Sequence, residues 1–236
     1  MPDHLTALQL ILTADPALLA IVRLSVGVSL AAVALAAAIG MPFGALLALV
    51  HFPGRAILVV LLNAMMGLPP VVVGLALYLL LSRSGPLGEL GIRFTPTAMV
   101  VAQTVLIVPI IAALTRQTIE DLWVEYRDEL SAMNVGAVGR MTTLLWDARF
   151  SLLTALLAGF GRAAAEVGAV MIVGGNIDGF TRTMTTAVAL ETSKGNLPLA
   201  MGLGAILIVI VLAINAAAWG TRGWSQRLTG RPCAPR

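Results

Sequence analysis

Charge is scarce in this sequence. Only 11% of its 236 residues are charged, against about 25% in an average soluble domain. So little polar surface cannot cover a globule of this size, and a water-soluble domain is excluded. Lysine is nearly absent: Lys194, in "TSKGN" (192–196), is the only one. A phosphate-binding P-loop ends in Gly-Lys-Ser/Thr, so this chain carries none. If ATP drives it, another subunit binds the ATP. The one cysteine, Cys233, sits in the polar tail and offers neither a disulfide nor a metal site. The two histidines, His4 and His51, lie far apart without ligand-like neighbours, and no metal is expected. The start, "MPDHLTALQLILTADPALLA", lacks the basic flank of a secretory signal. No cleavage is expected, and Asp3 and Asp15 suit a short non-cytoplasmic start.

What is abundant is apolar sequence, 58% of the chain. Several runs approach or exceed the roughly 20 residues that cross a bilayer as a helix. The short alternating strands of a membrane barrel are not in evidence. The chain reads as an all-α polytopic membrane protein with five spans: 21–50, 56–81, 97–114, 151–173 and 197–219. "HFPGR" (51–55) separates the first two. The second contains "GLPPVVVG" (67–74), whose two prolines remove two backbone donors, so that helix is kinked or interrupted. "SRSGPLGELGIRFTP" (82–96) is a loop by its glycines and prolines. Pro109 is expected to bend the third span.

The pI near 9.7 reflects a net charge of only +3, which argues against a nucleic-acid partner. The arginines report topology instead. Arg55, Arg116, Arg127, Arg140, Arg149, Arg222, Arg227, Arg231 and Arg236 fall on one side of the five spans. Arg83, Arg93, Arg182 and Lys194 fall on the other, with Arg23 at the edge of the first span. The positive-inside bias gives an outside N-terminus and a cytoplasmic C-terminus.

The cytoplasmic segment 116–149 is the longest polar piece. In "TIEDLWVEYRDELSAM" (118–133), Ile119, Leu122, Trp123, Tyr126, Leu130 and Met133 follow helical spacing, and the acids take the other positions. An amphipathic helix over 117–134 is expected, ended by the glycines of "NVGAVGR" (134–140). Periodicity alone does not choose between a helix lying on its own bundle and a docking surface for another protein.

Two ionisable residues interrupt the fourth span, in "GRAAAEVGAVMIVGGN" (161–176). Arg162 and Glu166 stand one helical turn apart and share a face, with Ala155, Ala158, Gly159, Ala169 and Val173 along the same side. Each charge would cost about 2.5–3.5 kcal/mol at a helix centre. Two readings stay open: a structural clamp, or a fixed cation beside a transport path. "NIDGFTRTMTTAV" (176–188), placed outside, adds neutral donors at Asn176, Thr181, Thr183, Thr185 and Thr186, with Arg182 its one cation. Thr185 and Thr186 are also suited simply to beginning a helix.

Three stretches together resemble the permease subunit of type I ABC importers in the molybdate/tungstate/sulfate group. They are "GLPPVVVG" with "SGPLG" (84–88), "GRAAAEVGA" (161–169) and "GNIDGFTRTMTTAV" (175–188). The block 159–196 looks most like the tungstate-specific branch. The resemblance covers most of the chain and implies one permease domain over residues 1–236. It also implies a homodimeric pore in the inner membrane, two ABC ATPase subunits that carry ATP and Mg, and an extracytoplasmic oxyanion-binding protein. It implies no cofactor in this chain. The family's coupling loop carries Glu-Ala-Ala, three residues, then Gly. Anchored on Gly136, that pattern falls on Leu130, Ser131 and Ala132, so the acid is displaced to Glu129. Trp146, Ala148 and Arg149 stand where Ile, Leu and Pro are expected. The resemblance implies a coupling helix over 131–140 involving Glu129, Ala132, Gly136, Ala137 and Arg140. Read from their chemistry, Arg162, Glu166, Asn176, Thr181 and Thr183 are the expected path or gate residues.

The function that follows is a non-enzymatic transport subunit, importing a tetrahedral oxyanion, tungstate before molybdate or sulfate. An ion-coupled secondary transporter or channel is the alternative. Such proteins show internal repeats and several intramembrane ionisable groups, whereas here no repeat and one such pair are found. A scaffold without transport has no positive feature behind it.

Overall fold

A computed structural model describes residues 16–228. Asp3, His4, Asp15, Arg231, Cys233 and Arg236 lie outside the described residues. Nine α-helices carry that chain: α1 (Pro16–Leu49), α2 (Arg55–Met66), α3 (Pro70–Leu80), α4 (Pro96–Ala132), α5 (Ala137–Asp147), α6 (Arg149–Ala164), α7 (Gly168–Gly174), α8 (Met184–Ser193) and α9 (Leu197–Leu228). No strand occurs among the described residues.

The axis of the molecule is the parallel pair α1 and α4, whose contacts advance together from Ala32–Thr104 to Gly44–Thr115. It closes tightly because small residues meet backbone. A side chain at Gly44 would land on the Ala112 carbonyl, and one at Gly40 would lie 3.1 Å from the Val108 carbonyl. Close backbone approach of this kind is how helices associate where surrounding lipid is as apolar as the side chains. Ala32, Ala36, Ile107 and Ile111 fill the middle of the seam with Phe160 and Ala163 of α6.

α1, α4 and the first part of α9 are each long and apolar enough to cross a membrane. Two further candidates are bent pairs. α2 and α3 meet at 101° across the predicted Leu68–Pro70 break, and α5 and α6 meet at 74°. Counting each bent pair once gives five, so the chain is a multi-pass membrane protein of the expected class. The spans are drawn differently in three places. First, the amphipathic segment is no separate helix: α4 runs unbroken from Pro96 to Ala132, through buried Pro109, about 55 Å at helical rise. Nothing between 114 and 118 stops it, for Thr115 and Thr118 are tolerated inside helices. Second, the expected fourth span is broken after Ala164, and α7 restarts at Gly168. Third, the expected coupling helix over 131–140 is interrupted by a turn at 133–136. α4 ends at Ala132, Asn134 takes φ 52°, and α5 begins only at Ala137.

At the arginine-rich end Glu120 of α4 pairs with both Arg55 and Arg116. Arg55 also donates from Nε to the Leu47 carbonyl at 2.7 Å. One acid therefore ties the α1–α2 turn to α4. At the opposite end Phe94 donates its N–H to the Val173 carbonyl at 3.0 Å, and Thr95 caps α4.

Candidate functional site: two broken helices and a buried ion pair

A helix interrupted inside a membrane protein frees backbone groups that lipid cannot satisfy, so breaks persist only where neighbours supply partners. The α6–α7 break has them. Glu166 is 3% exposed and takes Arg162 on one carboxylate oxygen at 2.7 Å. Its other oxygen accepts the Ala169 N–H at 3.0 Å, capping α7. The Glu166 carbonyl receives Thr185 Oγ1 at 2.9 Å, and the Ala163 carbonyl receives Gln103 Nε2 at 3.0 Å. The ion pair is thus real, but its geometry departs from the sequence reading. Glu166 lies beyond the end of α6, so the two residues do not share one continuous helical face. Within "EVG", Glu166 caps the restarted helix that Gly168 opens.

This break lies against the other one. A side chain at Gly168 would meet Val71 Cγ2 at 2.7 Å, and one at Gly74 would meet Ala169 Cα at 2.7 Å. Proline-led α3 and glycine-led α7 therefore cross through their smallest residues. Arg162 retains 31% exposure beside its buried partner, so the pair presents its cation rather than its anion. Ala155, Gly159, Ala169 and Val173 are buried as the small face requires, while Ala158 is exposed.

The loop after α7 brings in the other predicted residues, although their hydroxyls are spent internally. Thr181 donates to the Gly174 carbonyl at 2.6 Å and accepts the Ile177 N–H at 2.9 Å. Thr183 begins α8 in a reciprocal capping box with Thr186. Both threonines are buried. Asn176 takes φ 49° and has a buried Oδ1 without a protein partner. Arg182 pairs with Asp178 at 2.9 Å, and its Nε is buried and unpartnered. Arg23, Asp178 and Arg182, with Pro96 and Thr97 at the start of α4, line an open cavity of about 670 Å³. Sequence reading set Arg23 aside as an edge residue. Its recurrence beside Arg182 needed the tertiary fold.

At the far end, the residues read as coupling positions gather around the α4–α5 turn. Glu129, Ala132, Gly136 and Ala137 are exposed. Arg140 folds back instead, with Nε on the Val135 carbonyl at 2.7 Å and its guanidinium over Trp123. On the same stretch of chain Val124, Met133, Val138 and Trp146 are each more than 70% exposed. Large apolar side chains left exposed on a polar segment suit association with another protein. Periodicity placed Met133 on the covered face, but α4 ends at Ala132 and Met133, its C-cap, is exposed.

No family model matches the chain. A probable anion ABC transporter permease protein of Haloferax volcanii is 42% identical over 219 residues, 91% of this chain and 94% of its own length. A tungstate uptake system permease protein of Peptoclostridium acidaminophilum is 37% identical over 213 residues, 90% and 93% of the two chains. A molybdenum transport system permease protein of Escherichia coli is 34% identical over 178 residues, 71% and 76%. The same permease character runs through the relatives, the sequence motifs and the helical architecture, and the chain belongs to the ABC transporter permeases, in the group that holds tungstate, molybdate and sulfate permeases.

Proposed function

We propose that this chain is the membrane-spanning subunit of an ATP-driven importer for a tetrahedral oxyanion, tungstate. It works as a homodimer on two ATPase subunits, which hold ATP and Mg²⁺, and it receives the anion from an extracytoplasmic binding protein. The N-terminus lies outside and the α4–α5 turn faces the cytoplasm, in keeping with the arginine distribution. The observation that carries the reading is the half-exposed Arg162 backed by buried Glu166 at the meeting of two broken helices. A lone guanidinium in a low-dielectric path would retain a dianion, and a lone carboxylate would repel it. The pair leaves a weakened, fixed positive potential, suited to passage without capture. Asn176, Thr181 and Thr183 shape the outer end of that path, the threonines by fixing the loop. Glu129, Ala132, Gly136 and Ala137 form the docking face for the ATPase, and Arg140 holds its turn.

The test is uptake into proteoliposomes holding this permease with its ATPase and binding protein. Tungstate should stimulate ATP hydrolysis, and Arg162→Gln should lower uptake while the complex still assembles. Uptake driven by an ion gradient without ATP would overturn the reading. Stimulation by molybdate or sulfate in place of tungstate would move the substrate within the group.

A further inference from the structure

Gln103 of α4 is 4% exposed, yet only half of its amide is used. Nε2 donates to the Ala163 carbonyl, while Oε1 is buried with no partner. The amide cannot simply be turned, because Oε1 would then face another carbonyl oxygen. A buried acceptor without a donor costs about 1–3 kcal/mol, so the structure should provide one. It provides a space instead. A cavity of about 20 Å³ lies against Gln103, Ser25, Ser29, Thr183 and Thr185. One water needs about 10–15 Å³ of such volume and two to four polar partners.

The partners are present. Ser29 is 4% exposed, and its hydroxyl makes no hydrogen bond among the described residues. Ser25 Oγ donates to the Ile21 carbonyl and accepts the Met184 N–H, leaving it a lone pair. Thr185 Oγ1 donates to the Glu166 carbonyl, lies 3.2 Å from Thr183 Oγ1 and keeps one lone pair free to accept. No charged side chain lines this cavity. Nothing there balances an anion or a cation, and the unpaired group asks for a donor.

We infer that one ordered water occupies this cavity, donating to Gln103 Oε1, and that Gln103 is a positioning residue for Arg162. The two carbonyls flanking the α6–α7 break, those of Ala163 and Glu166, are held by Gln103 and Thr185. Both side chains wall the cavity, and the water joins α1, α4 and α8 behind the break. The site therefore sets where the ion pair stands. The positioning role rests on the proposed transport role of Arg162, whereas the water does not.

The water is tested by a high-resolution structure of the complete transporter. A density peak within hydrogen-bond distance of Gln103 Oε1 and Ser29 Oγ is expected, and an empty cavity overturns the site. Transport that depends on sodium in place of potassium would make the occupant a cation and overturn it equally. The positioning role is tested by a double-mutant cycle. Gln103→Leu should keep assembly and slow uptake about tenfold, the rate equivalent of one lost buried hydrogen bond. In an Arg162→Gln background the same change should cost less than about twofold. Full additivity would show that Gln103 acts on stability alone and would overturn the role. Normal uptake by Arg162→Gln itself would sink the transport reading and leave the water standing.

Discussion

Glu166 caps Ala169: a side-chain oxygen and a backbone N–H three residues on lie 3.0 Å apart, and the remaining oxygen is what holds Arg162. One buried carboxylate therefore both restarts a helix and anchors a cation. Glu166→Gln keeps an acceptor for Ala169 but removes the charge. Glu166→Ala removes both and should unfold about 1 kcal/mol more readily than the glutamine variant, the usual worth of a cap. Thermal unfolding of the solubilised protein measures this, and equal stability in the two variants would remove the cap from the account.

The same geometry dictates how the cation is probed. Exchanging the pair, Arg162→Glu with Glu166→Arg, looks conservative on a continuous helix. Here it would place a donor-only side chain against the Ala169 N–H, and the variant should fail to assemble. Arg162→Lys is the cleaner change, since it keeps the charge and loses the forked geometry. It should assemble normally and transport more slowly than the parent. Assembly of the exchanged variant at parental yield would contradict the capping role.

What the sequence made legible was chemistry at short range. Two adjacent prolines announced the break before α3, and Arg162 with Glu166 announced a pair, since neither residue survives alone in an apolar segment. The break after Ala164 was not legible, because "AAAEVGA" contains nothing that forbids a helix. Its carbonyls at Ala163 and Glu166 are held by Gln103 and Thr185, 60 residues before the one and 19 after the other, with the Glu166 N–H also on Ala163. The turn at 133–136 was hidden for the opposite reason. A family pattern anchored on Gly136 suggested a helix through it, whereas Asn134 at positive φ ends one helix before the next begins.

Helix crossings supply a stability prediction. Gly74→Ala places a methyl 2.7 Å from the Ala169 Cα, and backbone cannot yield as a side-chain tip can. Overpacking of this kind costs about 1–3 kcal/mol, and here it would part the two broken helices. Gly27→Ala is the control, for no atom lies within 4 Å of its new methyl, and alanine is the better helix former. Thermal unfolding should separate the two variants. Equal midpoints would mean that the α3–α7 crossing is loose.

Topology is checked with introduced cysteines after Cys233→Ser. Glu89→Cys lies in the loop before α4, and Val138→Cys, 72% exposed in the parent, lies just inside α5. They stand beyond opposite ends of α4, a helix long enough to cross. An impermeant thiol reagent applied to intact cells should label the first, and only permeabilised cells should expose the second. Labelling of both from the same face would reject the proposed orientation.

Gly136 decides whether the α4–α5 turn is a docking face or only a turn. Its φ of −68° suits any residue, and a side chain there would meet nothing within 4 Å. The fold of this chain therefore does not require glycine at 136. Gly136→Ala should leave the unfolding midpoint unchanged. Gly136→Glu should be tolerated equally by the isolated permease, since an acid at the start of α5 favours the helix dipole. Whatever Gly136→Glu disrupts must then lie outside the chain. Against a closely packed ATPase surface the carboxylate would be buried without a partner, at a cost of about 3–5 kcal/mol. Co-purification of the ATPase should fall by more than about tenfold, since each 1.4 kcal/mol is one decade. A variant that retains both its ATPase and its uptake rate would return Gly136 to an ordinary turn residue.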